Sequence, residues 1–170
     1  MPRRRLLLVL LLLSGIWYQL RTHPPRPAPA SFERDGAASV VFASTVRDLS
    51  ADEAAGGHTL ARHVGRSDAE LAERLALESS LAAASSFEDR ATAERTVGAA
   101  LAAERDRVDA WLRRERGETL AISSRGGTAP VGRLLERGAT TSEPVTGARV
   151  VLRRRGAGYF VLTAYPERPT

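Results

Sequence analysis

The sequence has neither cysteine nor lysine. Without cysteine it cannot form disulfides, use a thiolate nucleophile or carry a lipid on a cysteine. Its folded part must therefore be held by an apolar core, and hydrophobic residues make up 43% of the chain. All 25 basic residues are arginine. Because arginine stays protonated at any working pH, it can bind a phosphate but serves poorly as a general base.

Histidine is also scarce, with three in 170 residues. No group of histidines and acids has the spacing of a metal site, and no glycine-rich loop has the form that holds a nucleotide phosphate. The sequence therefore predicts neither a metal nor a cofactor. Acid–base chemistry near neutral pH would have to use a histidine.

The charge is unevenly distributed along the chain. Residues 1–30 hold five arginines and no acid, residues 31–112 hold 9 arginines and 15 acids, and residues 113–170 hold 11 arginines and 5 acids. A basic C-terminal part suits a polyanion such as RNA. Two halves that simply neutralise each other are an equally good explanation of the same pattern.

The N-terminus has the form of an export signal. Three arginines precede an apolar run of roughly 15 residues, which is short for a membrane span of about 20. Residues 1–21 are therefore predicted to be a signal peptide or a signal anchor. The small-residue pattern Ala28-Pro29-Ala30 allows cleavage, whereas Trp17 and Tyr18 suit a retained anchor at the membrane interface.

A proline-rich spacer and approach segment is predicted for residues 22–55, with the ordered body starting at Gly56-Gly57. Within the approach segment, Ala38 to Ala43 is either a strand or unstructured. A capping box at Ser67–Glu70 predicts a helix over 68–78. Apolar residues at helical spacing predict one long helix or two shorter ones over 90–114, ended by Gly117.

The pattern changes to short strands after that glycine. The predicted strands are Thr119 to Ser123, Val131 to Leu135, Ala148 to Arg153 and Tyr159 to Tyr165, with Ala157-Gly158 in the turn between the last two. Helices followed by antiparallel strands indicate an α+β domain, with the helices packed on one side of a small sheet.

Three features of the body could carry chemistry. His58 and His63 lie just before the capped helix, although either could be a buried structural residue. Arg74 lies on the predicted core-facing side of that helix, where it needs a substrate anion or a partner such as Glu70. Thr163 and Tyr165 are two apart on a strand, so both hydroxyls share a face; they could bind a phosphate or be ordinary sheet residues.

The basic run Arg153–Arg155 precedes the last turn. It is predicted to be a solvated edge of the sheet, and its functional alternative is nonspecific attraction of phosphate.

Several blocks in order resemble the bacterial RNase A-like toxin domain found at the C-terminus of contact-dependent growth inhibition proteins. They span residues 56–166 and comprise GGHTLARHVGRSDAELAERL, SSFEDRATAER, the Trp111-Leu112 pair, VTGARVVLRR and YFVLTAYP. The resemblance implies an RNase A-like catalytic domain over 56–170, with a small curved antiparallel sheet and no disulfides.

The resemblance also implies the site. The family's histidine, arginine and Thr–Tyr pair fall best on His63, Arg74, Thr163 and Tyr165. His58 is the alternative position for that histidine and otherwise a second histidine near the site. The implied reaction is metal-independent: the 2′-OH of RNA attacks its own phosphodiester and leaves a 2′,3′-cyclic phosphate. The histidine would take the 2′ proton, and Tyr165 or His58 would protonate the leaving oxygen.

The expected function is thus an exported ribonuclease toxin in competition between bacteria. Its expected partners are an RNA substrate, such as tRNA or another single-stranded RNA, and an immunity protein. A membrane would be a partner only through residues 1–21 if they are retained. The alternative is an exported, non-catalytic module that binds a polyanion or a protein through its basic sheet.

Overall fold

The computed structural model describes residues 46–114 and 116–169. The predicted signal or anchor over residues 1–21, the proline-rich part of the spacer and the run from Ala38 to Ala43 lie outside the described residues. Within the described residues, no helix has the length and apolar character needed to cross a membrane.

The described chain forms five helices and six strands. The helices are α1 (Leu49–Ala54), α2 (Thr59–His63), α3 (Asp68–Leu77), α4 (Arg90–Ala103) and α5 (Arg105–Arg113). The strands are β1 (Ala83–Phe87), β2 (Thr119–Ser124), β3 (Gly132–Glu136), β4 (Glu143–Val145), β5 (Gly147–Arg155) and β6 (Gly158–Glu167). The predicted α+β class is confirmed.

The strands form two three-stranded antiparallel sheets, ordered β1-β3-β4 and β2-β5-β6. The last two strands make a hairpin whose turn residues are Gly156 and Ala157, one position earlier than predicted, with Gly156 at φ +58°. Strand β6 packs against β1 without a ladder between them. The two sheets therefore meet along these two strands.

Both predicted helical regions are present. Helix α3 begins with the capping box: Ser67 accepts from the backbone of Glu70, and the Glu70 carboxylate accepts from the backbone of Ser67. The region 90–114 contains two helices, because the chain leaves helical geometry at Glu104 (φ −104°, ψ 18°).

Four elements were not predicted, namely α1, α2, β1 and β4. Strand β1 has the sequence AASSF, which is poor in β-branched residues, yet four of its five residues are buried. Helix α1 lies in the segment predicted to be the approach to the domain, but its Leu49 belongs to the main core and is fully buried. The folded body therefore begins before Gly56.

Two apolar clusters hold these elements. The larger one joins α4, α5 and the β2-β5-β6 sheet around residues such as Val97, Trp111 and Val150. The smaller one joins α3 to β1 and β3 through Leu71, Leu75, Ala84 and Leu135. Because this cluster anchors α3, it fixes the direction in which Arg74 leaves that helix.

Candidate active site

His63 is the last residue of the short helix α2, and only 6% of it is exposed. The chain straightens directly after it, and Val64 makes a parallel bridge to Phe87 in β1. The same helix packs against β6. His63 is therefore held between the two sheets by the elements on either side of it.

The hydrogen bonds of His63 indicate its tautomer. Its Nδ1 lies 3.3 Å from the carbonyl oxygen of Ser85 and 3.5 Å from Nη1 of Arg74. The carbonyl can only accept and the guanidinium can only donate, so the two contacts favour opposite tautomers. Because the carbonyl is the nearer of the two, we assign the proton to Nδ1. Nε2 then keeps a lone pair and can accept a proton.

His63 is neutral at physiological pH. Burial lowers its pKa from the ordinary 6.5 to about 4, opposed by the hydrogen bond to Ser85 and assisted by the positive charge of Arg74. Smaller contributions that lower the pKa come from His58 and Arg62 on its own helix. An anion placed beside Arg74 would offset that positive charge and raise the pKa of His63.

His58 sits one position before α2 and is only partly buried. Its ring centroid is 6.4 Å from that of His63. Burial also lowers the pKa of His58, and the neighbouring Arg62 lowers it further. The structure thus distinguishes a buried histidine from a more accessible one, which the sequence could not do.

Arg74 projects from α3 toward His63 and is half-buried. Its Nε donates to Oε1 of Glu78 at 3.2 Å, and its Nη1 faces Nδ1 of His63. The expected partner Glu70 is instead bound to Arg66 and to the helix cap at Ser67. Arg74 is therefore paired with Glu78, one helical turn after it, and not with Glu70, one turn before it.

Thr163 and Tyr165 lie on one face of β6, while Ala164 between them is fully buried on the other. The Tyr165 ring centroid is 5.5 Å from that of His63. The Thr163 hydroxyl oxygen is buried and has no hydrogen-bond partner among the described residues. A buried hydroxyl without a partner is costly, and such groups are commonly satisfied by a ligand.

These five side chains line one cleft of about 280 Å³. The rest of its wall is formed by Leu81, in the loop between α3 and β1, and by the β1 residues Ala83, Ala84 and Ser85. The cleft therefore presents two imidazoles, a guanidinium and two hydroxyls to the same volume. Among residues 46–114 and 116–169, no group of three or more histidines and acids could hold a metal ion.

Two groups that contact side chains of the cleft were not predicted from the sequence, namely the Glu78 carboxylate beside Arg74 and the Ser85 carbonyl beside His63. Glu78 could have been found, because an acid four residues after an arginine on a helix is a common ion pair. The Ser85 carbonyl could not, because it depends on a strand that the local sequence does not indicate.

The basic run before the last turn lies outside the cleft, and it is not simply a solvated edge. Arg153 pairs with Glu118. Arg154 donates to backbone carbonyls at the end of α5 and stacks over Trp111 at 4.4 Å from the ring centroid. Arg154 therefore serves the packing of α5 on β5, and Arg153 is paired with an acid directly before β2.

Two comparisons with known proteins identify the family of the chain. The family model described as "Bacterial CdiA-CT RNAse A domain" matches residues 57–166. A crystal structure of a CdiA-CT/CdiI complex from Y. kristensenii 33638 is similar, with a TM-score of 0.60 and 34% identity over 65% of this chain and 99% of that one. The search of curated proteins gave no match. The resemblance seen in the sequence is confirmed: the chain belongs to the bacterial CdiA-CT RNase A family and is an endoribonuclease toxin of the contact-dependent inhibition type.

Proposed function

We propose that this cleft cleaves RNA through attack of the 2′-OH on the adjacent phosphodiester, without a metal ion. The products are a 2′,3′-cyclic phosphate and a 5′-OH. The observation that carries the proposal is the convergence of His63, Arg74, Thr163 and Tyr165 on one cleft, with the Thr163 hydroxyl buried and unpartnered. DNA has no 2′-OH and is not a substrate.

His63 is the general base in this proposal. Its Nδ1–H is directed at the Ser85 carbonyl, so Nε2 takes the 2′ proton. In the free protein the low pKa of His63 keeps the ring neutral but makes it a weak base. The negative phosphodiester beside Arg74 raises that pKa, so the base becomes stronger when the substrate is in place.

Arg74 and the two hydroxyls stabilise the charge that develops on the phosphorane oxygens. Each donates to an oxygen whose negative charge is greater in the transition state than in the substrate. The guanidinium can make two parallel contacts to phosphate, whereas Thr163 and Tyr165 each make one.

The leaving 5′ oxygen needs a proton, and two groups of the cleft can supply it, Tyr165 and His58. In a nucleoside 3′-aryl phosphate the leaving group is an aryl oxide, which departs without needing that proton. The variant that lacks the acid is therefore expected to lose far more activity on a dinucleotide than on the aryl substrate, whereas a variant that has lost only stabilisation of the phosphorane loses similar activity on both. Tyr165→Phe and His58→Gln compared on both substrates identify the acid.

The chemistry is tested by cleavage of a defined RNA in the presence of a chelator, followed by identification of the new ends. The expected ends are a 2′,3′-cyclic phosphate and a 5′-OH. A requirement for added magnesium, or a 3′-OH with a 5′-phosphate, would rule out the proposed reaction.

No observation favours the alternative of a non-catalytic module that binds through a basic sheet. Arg153 and Arg154, which would form that surface, are engaged by Glu118 and by backbone carbonyls. Binding of RNA without cleavage by the purified chain would nevertheless establish this alternative.

We also propose that the chain acts on other bacterial cells and is neutralised in the producer by an immunity protein. The support is the similar toxin domain that was solved with CdiI. Residues 1–21 would direct its export, as a cleaved signal or as an anchor. Growth arrest by residues 22–170 expressed in a bacterial cytoplasm, absent with His63→Ala, tests the toxicity. The N-terminal sequence of the exported full chain tests the cleavage.

A further inference from the structure

The histidines lie at the two ends of α2, His58 directly before it and His63 as its last residue, whereas the hydroxyls belong to β6. Residues 57–59 contact β6 and so link the two groups. Among the described strands, β6 is an edge of its sheet, so its outer N–H and C=O groups bind no strand of that part of the chain. Residues 57–59 run along this edge. The relative position of the two halves of the site is therefore set where this segment meets β6.

An irregularity in β6 creates one of the contacts. The pairing with β5 is shifted, because Val151 lies opposite Thr163 and Leu152 lies opposite Val161, which leaves Leu162 without a partner. The Leu162 carbonyl accepts from the backbone N–H of His58 at 3.0 Å. Bulges of this kind redirect side chains and occur often beside active sites.

Thr59 makes the second contact. Its hydroxyl oxygen accepts from the backbone N–H of Ala164 at 2.9 Å, and both residues are buried, with 1% and 0% exposed. Ala164 is the residue between Thr163 and Tyr165. A single side chain at the first position of α2 thus holds the peptide that separates the two hydroxyls.

Residues 57–59 also lie so close to β6 that position 57 has no room for a side chain. A Cβ on Gly57 would lie 2.4 Å from the carbonyl oxygen of Val161 and 3.0 Å from that of Asp52. The Asp52 carboxylate in turn accepts from the backbone N–H of Val161 at 2.9 Å. The contact between this segment and β6 is therefore close-packed as well as hydrogen-bonded.

We propose that Thr59 is a positioning residue, which holds α2 in register with β6 so that His63 and the Thr163–Tyr165 pair face the same phosphodiester. The inference rests on the proposed function, because it concerns the same cleft. Thr59 does not line the cleft and does not touch the substrate. It acts through its bond to Ala164.

The first test replaces Thr59 in the full chain by valine, which has the same shape but no acceptor, and by serine, which keeps the acceptor. Ser124→Ala is the matched control, because the Ser124 hydroxyl also accepts from a strand N–H, that of Ala148 at 2.8 Å, but lies outside the cleft. Each variant is measured at a temperature at which circular dichroism shows it folded.

Thr59→Val is expected to lower kcat about ten- to a hundredfold with little change in KM. Its His63 ring should become more hydrated, so the NMR titration of that ring should move to higher pH. Thr59→Ser should restore both, and Ser124→Ala should change neither. Wild-type kcat and titration in Thr59→Val would overturn the proposal, as would equal losses in Thr59→Val and Ser124→Ala.

A second pair of variants, Gly57→Ala and its control Gly127→Ala, removes no hydrogen-bonding group. This pair tests the proposal if Thr59→Val does not fold. Gly57→Ala pushes the segment away from Val161, whereas Gly127→Ala places its methyl group in open space. The proposal predicts reduced kcat and a shifted His63 titration in the first variant only. Wild-type behaviour of Gly57→Ala would overturn it.

The titration of His63 needs no RNA, so it separates the two proposals. If the wild type does not cleave RNA, or if His63→Ala still does, the proposed function fails. The shift of the His63 titration in Thr59→Val would still show whether Thr59 positions the imidazole.

Discussion

Arg74 and Arg154 show two uses of the same side chain. Arg154 donates from Nε to Gly117 and from Nη1 to Leu112, and its Nη2 reaches the carbonyl of Trp111. Arg74 donates from Nε to Glu78, while its Nη1 points into the cleft toward His63.

The difference lies in what surrounds each guanidinium. Arg154 meets carbonyls at the end of α5 that need donors, so it completes the structure by itself. Arg74 faces an open cleft that also holds the unpartnered hydroxyl of Thr163. Polar groups satisfied within the chain therefore mark a structural role, and polar groups that converge on an open volume mark a role toward a ligand.

The largest expected effect is that of Arg74→Lys on cleavage. A lysine keeps the charge but cannot reproduce the two parallel contacts to phosphate, so kcat/KM is expected to fall about 10²- to 10³-fold. The same substitution at Arg154 is the control and should leave kcat of the folded protein unchanged. Comparable losses of kcat in both variants would remove the distinction between the two arginines.

The buried histidine should make stability depend on pH. The pKa of His63 is about 4 in the folded protein and 6.5 ordinarily. The unfolded chain therefore takes up a proton first as the pH falls. The free energy of unfolding should decrease between about pH 6.5 and pH 4, by up to about 3 kcal/mol.

Denaturant titrations over this range measure that decrease, and His63→Gln should flatten it. His58→Gln is the control and should retain most of the slope, because the His63 ring is untouched. An unchanged slope in His63→Gln would show that other groups cause the dependence.

Thr163→Val, which replaces one hydroxyl by a methyl group, is expected to change activity and stability in different ways. The change removes a hydroxyl that has no hydrogen-bond partner within residues 46–114 and 116–169, so the free energy of unfolding should stay the same or rise by up to about 1 kcal/mol. Cleavage should fall by about a hundredfold, because one donor to the phosphorane is lost. Chemical denaturation and initial rates on the same preparation check both, and full activity would remove Thr163 from the site.

Arg154→Met is expected to have the smallest effect of these substitutions. It should lower the free energy of unfolding and leave kcat unchanged. The methionine fills similar space but removes the guanidinium donors to the carbonyls of Trp111, Leu112 and Gly117, the last of which keeps the Trp111 Nε1 donor, and this should cost about 2 kcal/mol. Urea unfolding measures the loss. A fall in kcat with no loss of stability would mean that Arg154 serves the substrate after all.

Much of this arrangement follows from local sequence. The capping box fixed the start of α3, the spacing of Leu71 and Leu75 placed Arg74 among buried neighbours, and the two-residue period put Thr163 and Tyr165 on one face. Each depends only on neighbours within one or two turns of a helix or a few residues of a strand.

The unpredicted parts depend on contacts between distant segments. Strand β1 forms from alanines and serines because β3 pairs with it and α3 covers it. The bulge at Leu162 is stabilised by the backbone of His58, over 100 positions earlier. Arg154 is indistinguishable from its neighbours in the run 153–155 until α5 is placed beside it.

The measurement that tests the site most directly is the NMR titration of His63 with a non-cleavable 2′-deoxy dinucleotide bound. If the imidazole and Arg74 share one phosphodiester, the negative charge of the ligand should raise the pKa of His63 above its value of about 4 in the free protein, and should do so less in Arg74→Lys. A dinucleotide that binds without moving this titration would contradict the account.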